Sequence, residues 1–209
     1  MIGVIDYGAG NLGSVMNALF RLGKNPRFLR GPEELRTSGR KARFERIIFP
    51  GDGHFARTME SLTQTGYAQA ICEWIAADKP FLGICIGLQL LFESSEEAPP
   101  VDGKTIKGLS VISGSVKRFP GRKVPHIGWN KTQTRQDSRL FRGLEQDMFF
   151  YYIHSYYAAP KDRIFQTASA DYYLNFCSGL EMGALAALQF HPEKSGSAGI
   201  RVIENWLSY

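Results

Sequence analysis

One stretch, Phe81-Leu82-Gly83-Ile84-Cys85-Ile86-Gly87-Leu88-Gln89-Leu90-Leu91-Phe92, limits what this chain can fold into more than any other. Its first part predicts a buried strand at 80–84 and its last part an apolar helix, with a cysteine between two glycines where one becomes the other. So short a passage from strand to helix leaves no room for flanking side chains, hence Gly83 and Gly87, and it lifts the middle residue clear of the sheet. The helix that follows aims its N-terminus at the Cys85 sulfur, which favours the thiolate, the form that attacks electrophiles.

The rest of the first half fits around such a turn. A strand at 2–5, a helix at 12–22, strands at 27–30 and 46–49 and a helix at 66–77 alternate up to the strand at 80–84. Parallel strands need crossover connections, so this alternation predicts an α/β fold, a mostly parallel sheet with helices on both faces. Beyond Lys104 the runs become short and β-like, at 114–119, 128–134, 148–157, 165–170, 173–177 and 184–190, and some of these are expected as antiparallel additions. A closing helix at 196–207 would pack Ile200, Ile203, Trp206 and Leu207 on the sheet. At 209 residues the chain suits a single domain, 1–209.

Several function classes are disfavoured. No run approaches the roughly 18–20 apolar residues of a membrane span, and the N-terminus lacks a signal-peptide layout, so no membrane association and a cytoplasmic location are expected. The three cysteines fit neither a disulfide framework nor a zinc site, so free thiols and no metal are expected. Cys72 within a helix and Cys177 within a strand read as small buried hydrophobes, whereas Cys85 reads as reactive. Residues 21–46 hold nine Lys or Arg against three Glu, a local excess that outweighs the net +5 of the whole chain. Without interleaved aromatics this reads as a solvated surface, with a nucleic-acid footprint as the sharper alternative. Gly8-Ala9-Gly10-Asn11-Leu12-Gly13 satisfies G-x-G-x-x-G, but Arg30 stands where a dinucleotide site needs an acidic residue. No cofactor is expected.

A thiolate nucleophile needs a base, and Gln189-Phe190-His191-Pro192-Glu193-Lys194-Ser195 supplies one just after a strand. His191 can take and return the proton; Glu193, two residues on, can fix its tautomer and stabilise the imidazolium, while Pro192 stiffens the link. Acyl transfer also needs an oxyanion hole. One donor is expected from the backbone N–H of Ile86, directly after the nucleophile. The other is expected from Gly51 and Asp52 in Pro50-Gly51-Asp52-Gly53, a loop at the end of the third strand that reads otherwise as an ordinary turn.

Together with Asp6-Tyr7-Gly8-Ala9-Gly10-Asn11, Pro125-His126-Ile127-Gly128-Trp129-Asn130 and Ile153-His154-Ser155-Tyr156, these segments resemble the class I glutamine amidotransferases, a flavodoxin-like α/β family, in order from residue 2 to the end. The Pro125–Asn130 and His154–Tyr156 stretches narrow the resemblance to the glutaminase subunits of imidazole glycerol phosphate synthase. That resemblance implies a Cys85, His191, Glu193 triad that hydrolyses L-glutamine through a thioester. It implies that Gln89, Glu97, His154, Ser155 and Tyr156 seat the glutamine. It further implies a heterodimer in which Asn11, Trp129 and Lys194 face a separate cyclase subunit, a (β/α)8 barrel that receives the ammonia and makes imidazole glycerol phosphate and aminoimidazole carboxamide ribotide.

One position departs from the pattern. Many family members carry an apolar residue where this chain has Asp52. A carboxylate turned inward would repel a developing oxyanion, so the Asp52 side chain is expected to point away. Other readings are glutaminase subunits of pyridoxal phosphate synthase or anthranilate synthase, a self-sufficient cysteine hydrolase, and a non-catalytic subunit; Trp129 and Lys194-Ser195 argue against the first group.

Overall fold

A computed structural model of the chain describes residues 1–8, 12–36, 43–100 and 105–209. The first half runs β1 (Ile2–Val4), α1 (Leu12–Arg21), β2 (Pro26–Phe28), α2 (Glu33–Arg36), β3 (Arg46–Phe49), α3 (Phe55–Thr65), α4 (Tyr67–Ala76), β4 (Phe81–Ile84) and α5 (Ile86–Gln89). The second is built of β5 (Phe92–Ser95), β6 (Ile112–Arg118), β7 (His126–Thr134), β8 (Asp147–His154), β9 (Tyr156–Pro160), β10 (Gln166–Tyr172), β11 (Leu174–Met182) and β12 (Leu185–Leu188). A 3-10 turn (Pro192–Lys194) and α6 (Gly196–Trp206) close the chain.

Among the described residues, all twelve strands join one sheet, with a main path β2-β1-β3-β4-β12-β11-β10-β7-β8. The strands from β2 to β12 along that path are parallel, and from β11 outward every pairing is antiparallel. Off the path, β6 pairs with β5 and β9, and β9 returns to β11. The expected parallel core with antiparallel additions is present, and the additions, β5 to β11, outnumber the five strands of the core.

The parallel strands are apolar on both faces because both are covered. Along them the side chains alternate: Val4, Ile48, Leu82 and Ala186 point to one core, Ile47, Phe49, Phe81 and Ala187 to the other. The first core is closed by Val15, Ala18 and Leu19 of α1 and by Val202, Ile203 and Trp206 of α6; the second by Met59 and Leu62 of α3 and Ile71 and Trp74 of α4. Helical spacing of three and four residues puts each set on one stripe, and each fully buried aliphatic or aromatic side chain contributes about 1.5–3 kcal/mol.

Three local readings change. Residues 55–65 form a helix that its sparse apolar positions, Phe55, Met59 and Leu62, did not announce; Gly66 at φ 81 is both its C-cap and the N-cap of α4, where the helix expected from 66 begins. The single strand expected at 148–157 breaks at Ser155 into β8, which pairs with β7, and β9, which pairs with β6. The helix after Cys85 is one turn long, because Phe92–Ser95 leaves to pair with β6.

Candidate active site

Cys85 sits where β4 ends, at φ 54 and ψ −101, a conformation that costs a non-glycine residue about 1–3 kcal/mol and persists only if its surroundings enforce it. They do. The Cys85 N–H donates to the Leu188 carbonyl at 2.7 Å, which extends the β4–β12 ladder through the turn. A Cβ on Gly83 would lie 2.6 Å from the Gly87 carbonyl oxygen, and one on Gly87 2.2 Å from that of Phe49, so both flanking positions exclude any side chain. Cys85 is 6% exposed.

His191 arrives from the neighbouring strand. Its N–H donates to the Tyr151 carbonyl at 2.9 Å, and its carbonyl accepts from the Ser195 hydroxyl at 2.6 Å. Ser195 Oγ in turn accepts from the Tyr151 N–H at 3.0 Å, so one hydroxyl ties His191 to the middle of β8. The ring Nδ1 lies 2.8 Å from Glu193 Oε1, both side chains being 3% exposed. Nε2 is buried with no hydrogen-bond partner, as is Glu193 Oε2. Burial opposes a charged ring here, but the Cys85 sulfur and the Glu193 carboxylate outweigh it and raise the His191 pKa to about 10. The ring is thus held from behind by a carboxylate at Nδ1, with Nε2 left without a partner on the side of Cys85.

The other buried imidazoles behave oppositely. His126 Nδ1 lies 3.0 Å from His154 Nε2, and His154 Nδ1 lies 2.7 Å from the Tyr156 carbonyl. Since a carbonyl only accepts, His154 carries its proton on Nδ1, accepts at Nε2 from His126, and both rings are neutral. Burial lowers their pKa values to about 4 for His126 and about 3 for His154. The remaining thiols are pushed the other way by burial, Cys72 upward and Cys177 up to about 12.

A cavity of about 110 Å³ opens beside Cys85 and is lined by Gln89, Glu97, His154, Ser155, Tyr156 and the Asp52-Gly53 stretch, so the candidate glutamine-seating residues converge on the candidate nucleophile. The break at Ser155 makes this possible, since it turns 154–156 around the cavity wall. Glu97 Oε2 accepts from the Phe55 N–H at 2.7 Å and so caps α3 from across the cavity. Larger concavities lie elsewhere, one of about 760 Å³ beside α3, but neither Cys85 nor His191 lines it.

The side expected to hold the oxyanion is arranged differently. The Ile86 N–H donates to the Gly51 carbonyl at 3.4 Å and is thus directed at the loop. Gly51 adopts φ 149, and a Cβ there would fall 1.9 Å from the Tyr7 hydroxyl. That hydroxyl is buried with no partner; burial first, then the charges of Asp52 and Cys85, push its pKa well up. Tyr7 was not among the residues singled out from sequence, because nothing in its segment shows that it reaches the loop after β3. Asp52 is exposed at the rim of the cavity.

Comparison with known families matches residues 3–208 to "Glutamine amidotransferase class-I". The chain belongs to the class I glutamine amidotransferase family. It is 42% identical over 207 residues to the imidazole glycerol phosphate synthase subunit HisH of Dehalococcoides mccartyi, covering 99% of this chain and 96% of that one. It is 43% identical over 212 residues to the chloroplastic imidazole glycerol phosphate synthase hisHF of Arabidopsis thaliana, covering 99% of this chain but 34% of that longer protein. Among solved structures, PurLQS from Thermotoga maritima superposes with a TM-score of 0.74 at 18% identity, covering all of this chain and 97% of that one, a likeness of fold.

On the outer face of this amidotransferase, Ile127 and Trp129 of β7 and Phe149 of β8 are 58%, 56% and 55% exposed. Alternation and the pairing of Trp129 with Tyr151 and of Lys131 with Phe149 place them on one side of the hairpin. Lys194 lies in the 3-10 turn after His191, and Asn11 lies outside the described residues. In the basic segment, Arg36 pairs with Glu73 and Arg43 with Glu34, each at 2.8 Å; residues 37–42 are not described. Among the described residues no helix is long and apolar enough to cross a membrane, and no group of three or more His, Cys, Asp or Glu is placed to hold a metal.

Proposed function

We propose that this chain is the glutaminase subunit of an imidazole glycerol phosphate synthase, acting in histidine biosynthesis in the cytoplasm. The observation that carries the reading is the buried Cys85 at a strained elbow beside an imidazole whose Nδ1 is held by Glu193 at 2.8 Å. The Cys85 thiolate attacks the side-chain amide carbon of L-glutamine. The His191 imidazolium gives its Nε2 proton to the departing nitrogen, and ammonia leaves. Water, deprotonated by the now neutral ring, cleaves the thioester to glutamate. Gln89, Glu97 and residues 154–156 form the seat.

The tetrahedral intermediate needs a donor for its oxygen, and Ile86 is placed to be one only after its N–H leaves the Gly51 carbonyl. Loss of one such donor costs about 10²–10³-fold in rate. The resting chain is therefore a slow glutaminase, and the loop of Gly51 and Asp52 is where a partner's signal would act. Ammonia is mostly protonated in neutral water and ammonium is no nucleophile, so it must pass sheltered to a cyclase subunit. The patch of Trp129, Ile127 and Phe149, together with Lys194, suits that contact, and β8, which contributes Phe149, also holds the His191 N–H through the Tyr151 carbonyl. In the complex the ammonia yields imidazole glycerol phosphate and aminoimidazole carboxamide ribotide.

The test is glutamate release from glutamine by the purified chain, alone and with a cyclase subunit and its ribotide substrate. Weak turnover alone and strong stimulation in the ternary mixture are expected. Full turnover without a partner would falsify the subunit reading.

A further inference from the structure

The proposed mechanism leaves one buried polar group beside the nucleophile without a role. Gln189 follows β12, is 0% exposed, and its side-chain Nε2 lies 3.6 Å from Cys85 Sγ. Its Oε1 accepts from Gln89 Nε2 at 3.2 Å, and Gln89 Nε2 also donates to the Tyr156 carbonyl at 3.0 Å. That second bond settles the direction of the chain. A carbonyl cannot donate, so Gln89 presents its nitrogen to Tyr156 and Gln189, and Gln189 must present oxygen to Gln89 and nitrogen to the sulfur.

The placement follows from strand geometry. Gln189 and His191 are two residues apart on extended chain and project to the same side, while Phe190 between them is buried in the opposite core. The Cys85 N–H is fixed to the Leu188 carbonyl, so the sulfur is brought against both. The two groups differ chemically. The imidazole exchanges a proton with sulfur, whereas an amide N–H donates a hydrogen bond to a thiolate but cannot transfer its proton to it. Several backbone donors close by are spent: the Leu88 and Gln89 N–H groups bond the Cys85 carbonyl, and the Ile86 N–H bonds Gly51. A thiolate in so buried a site is costly without a donor.

We infer that Gln189 is a catalytic residue: its side-chain amide is the fixed neutral donor that holds the Cys85 thiolate, and Gln89 is the positioning residue that sets the orientation of that amide. Because both N–H bonds of Gln89 are then committed, its Oε1 is left to accept from the glutamine in the seat. Seating of substrate and stabilisation of the nucleophile are thus two ends of one amide chain, Gln89 to Gln189 to Cys85. The inference rests on the reading of Cys85 as the nucleophile.

The experiment follows site-resolved alkylation of Cys85 by iodoacetamide against pH in the full chain. A hydrogen bond to a charged group is worth enough to move a pKa by about one unit. Gln189→Met should therefore shift the alkylation midpoint up by about one pH unit and lower kcat for glutamine about tenfold with little change in KM. Gln189→Glu, which keeps the shape but sets a carboxylate against the thiolate, should shift it further. Gln89→Met should shift it the same way by less, while raising KM. A midpoint for Gln189→Met or Gln189→Glu within 0.3 unit of wild type, roughly the reach of a solvated surface contact, overturns the proposal. Should either variant fail to fold, the 15N-edited side-chain amide signal of Gln189 in the wild-type chain decides. It should move with Cys85 ionisation and be insensitive to pH in Cys85→Ala; a signal that ignores that ionisation overturns the proposal. Absence of glutamate release by the wild-type complex would instead overturn the glutaminase reading and leave the alkylation shift interpretable.

Discussion

The two sides of the site are built to different standards. On the base side, sheet and turn hold every part: Ser195 locks the His191 backbone to β8, Glu193 fixes the ring, and Leu188 pins the Cys85 N–H. On the oxyanion side, the donor of Ile86 is taken up by a glycine loop, and the Tyr7 hydroxyl behind that loop has no partner. On the proposed reading, the groups that make and break bonds are rigid, while the group that stabilises the transition state hangs on a peptide that has to move. Rate control is therefore available at the loop without disturbing the nucleophile.

The largest expected effect removes the rigid side altogether. Cys85→Ala should abolish stimulated glutamate release, by about 10⁴-fold or more, while the chain still binds the proposed cyclase partner. Residual stimulated turnover within tenfold of wild type would mean that the thiol is a bystander. Glu193→Gln should lower kcat between about 10²- and 10⁴-fold, because an amide behind Nδ1 neither stabilises the imidazolium nor secures the tautomer. It should also change the pH dependence of stability. The His191 pKa is about 10 in the folded chain, above the ordinary value of 6.5. The folded state thus binds more protons across that interval, and its stability falls as pH rises through it. Urea midpoints at pH 7 and 9.5 should differ less in Glu193→Gln than in wild type.

On the mobile side, Gly51→Ala adds a Cβ at φ 149 that meets the Tyr7 hydroxyl, and should cost about 10²-fold in stimulated turnover. If basal and stimulated rates fall by the same factor, the loop is a static part of the site and the contrast between the two sides collapses. The smallest effect belongs to Tyr7→Phe. Removing an unpartnered buried hydroxyl should raise stability by about 1 kcal/mol and leave basal turnover within about threefold. A tenfold loss of stimulated turnover in that variant, with basal turnover intact, would sharpen the contrast by showing that the hydroxyl holds the loop in its working position.

Much of the rigid side was legible in sequence because its parts are contiguous: a cysteine between two glycines, and a histidine two residues from a glutamate. The parallel core was legible because strands covered on both faces are apolar throughout. What escaped depends on residues far apart in the chain. That Tyr7 reaches Gly51, that Glu97 caps α3, and that Gln189 bridges Cys85 and Gln89 are facts of long-range placement that no local pattern encodes. The helix at 55–65 escaped because α3 exposes so much polar surface that its apolar stripe is thin. The break at Ser155 escaped because 148–157 is uniformly β-prone, and only its two different partners, β7 and β6, pull it apart.

The alternation along 189–191 carries a consequence for how such a chain can vary. Side chains there are assigned by parity, so β12 tolerates a change of residue far better than a change of length. One inserted residue before Gln189 would turn Phe190 toward the sulfur and send both polar groups into the apolar core. Single-residue insertions along β12 should therefore be fatal where volume-conserving swaps such as Leu188→Met are mild, and families of this chain should lengthen only in the loops that the β4–β12 ladder does not count.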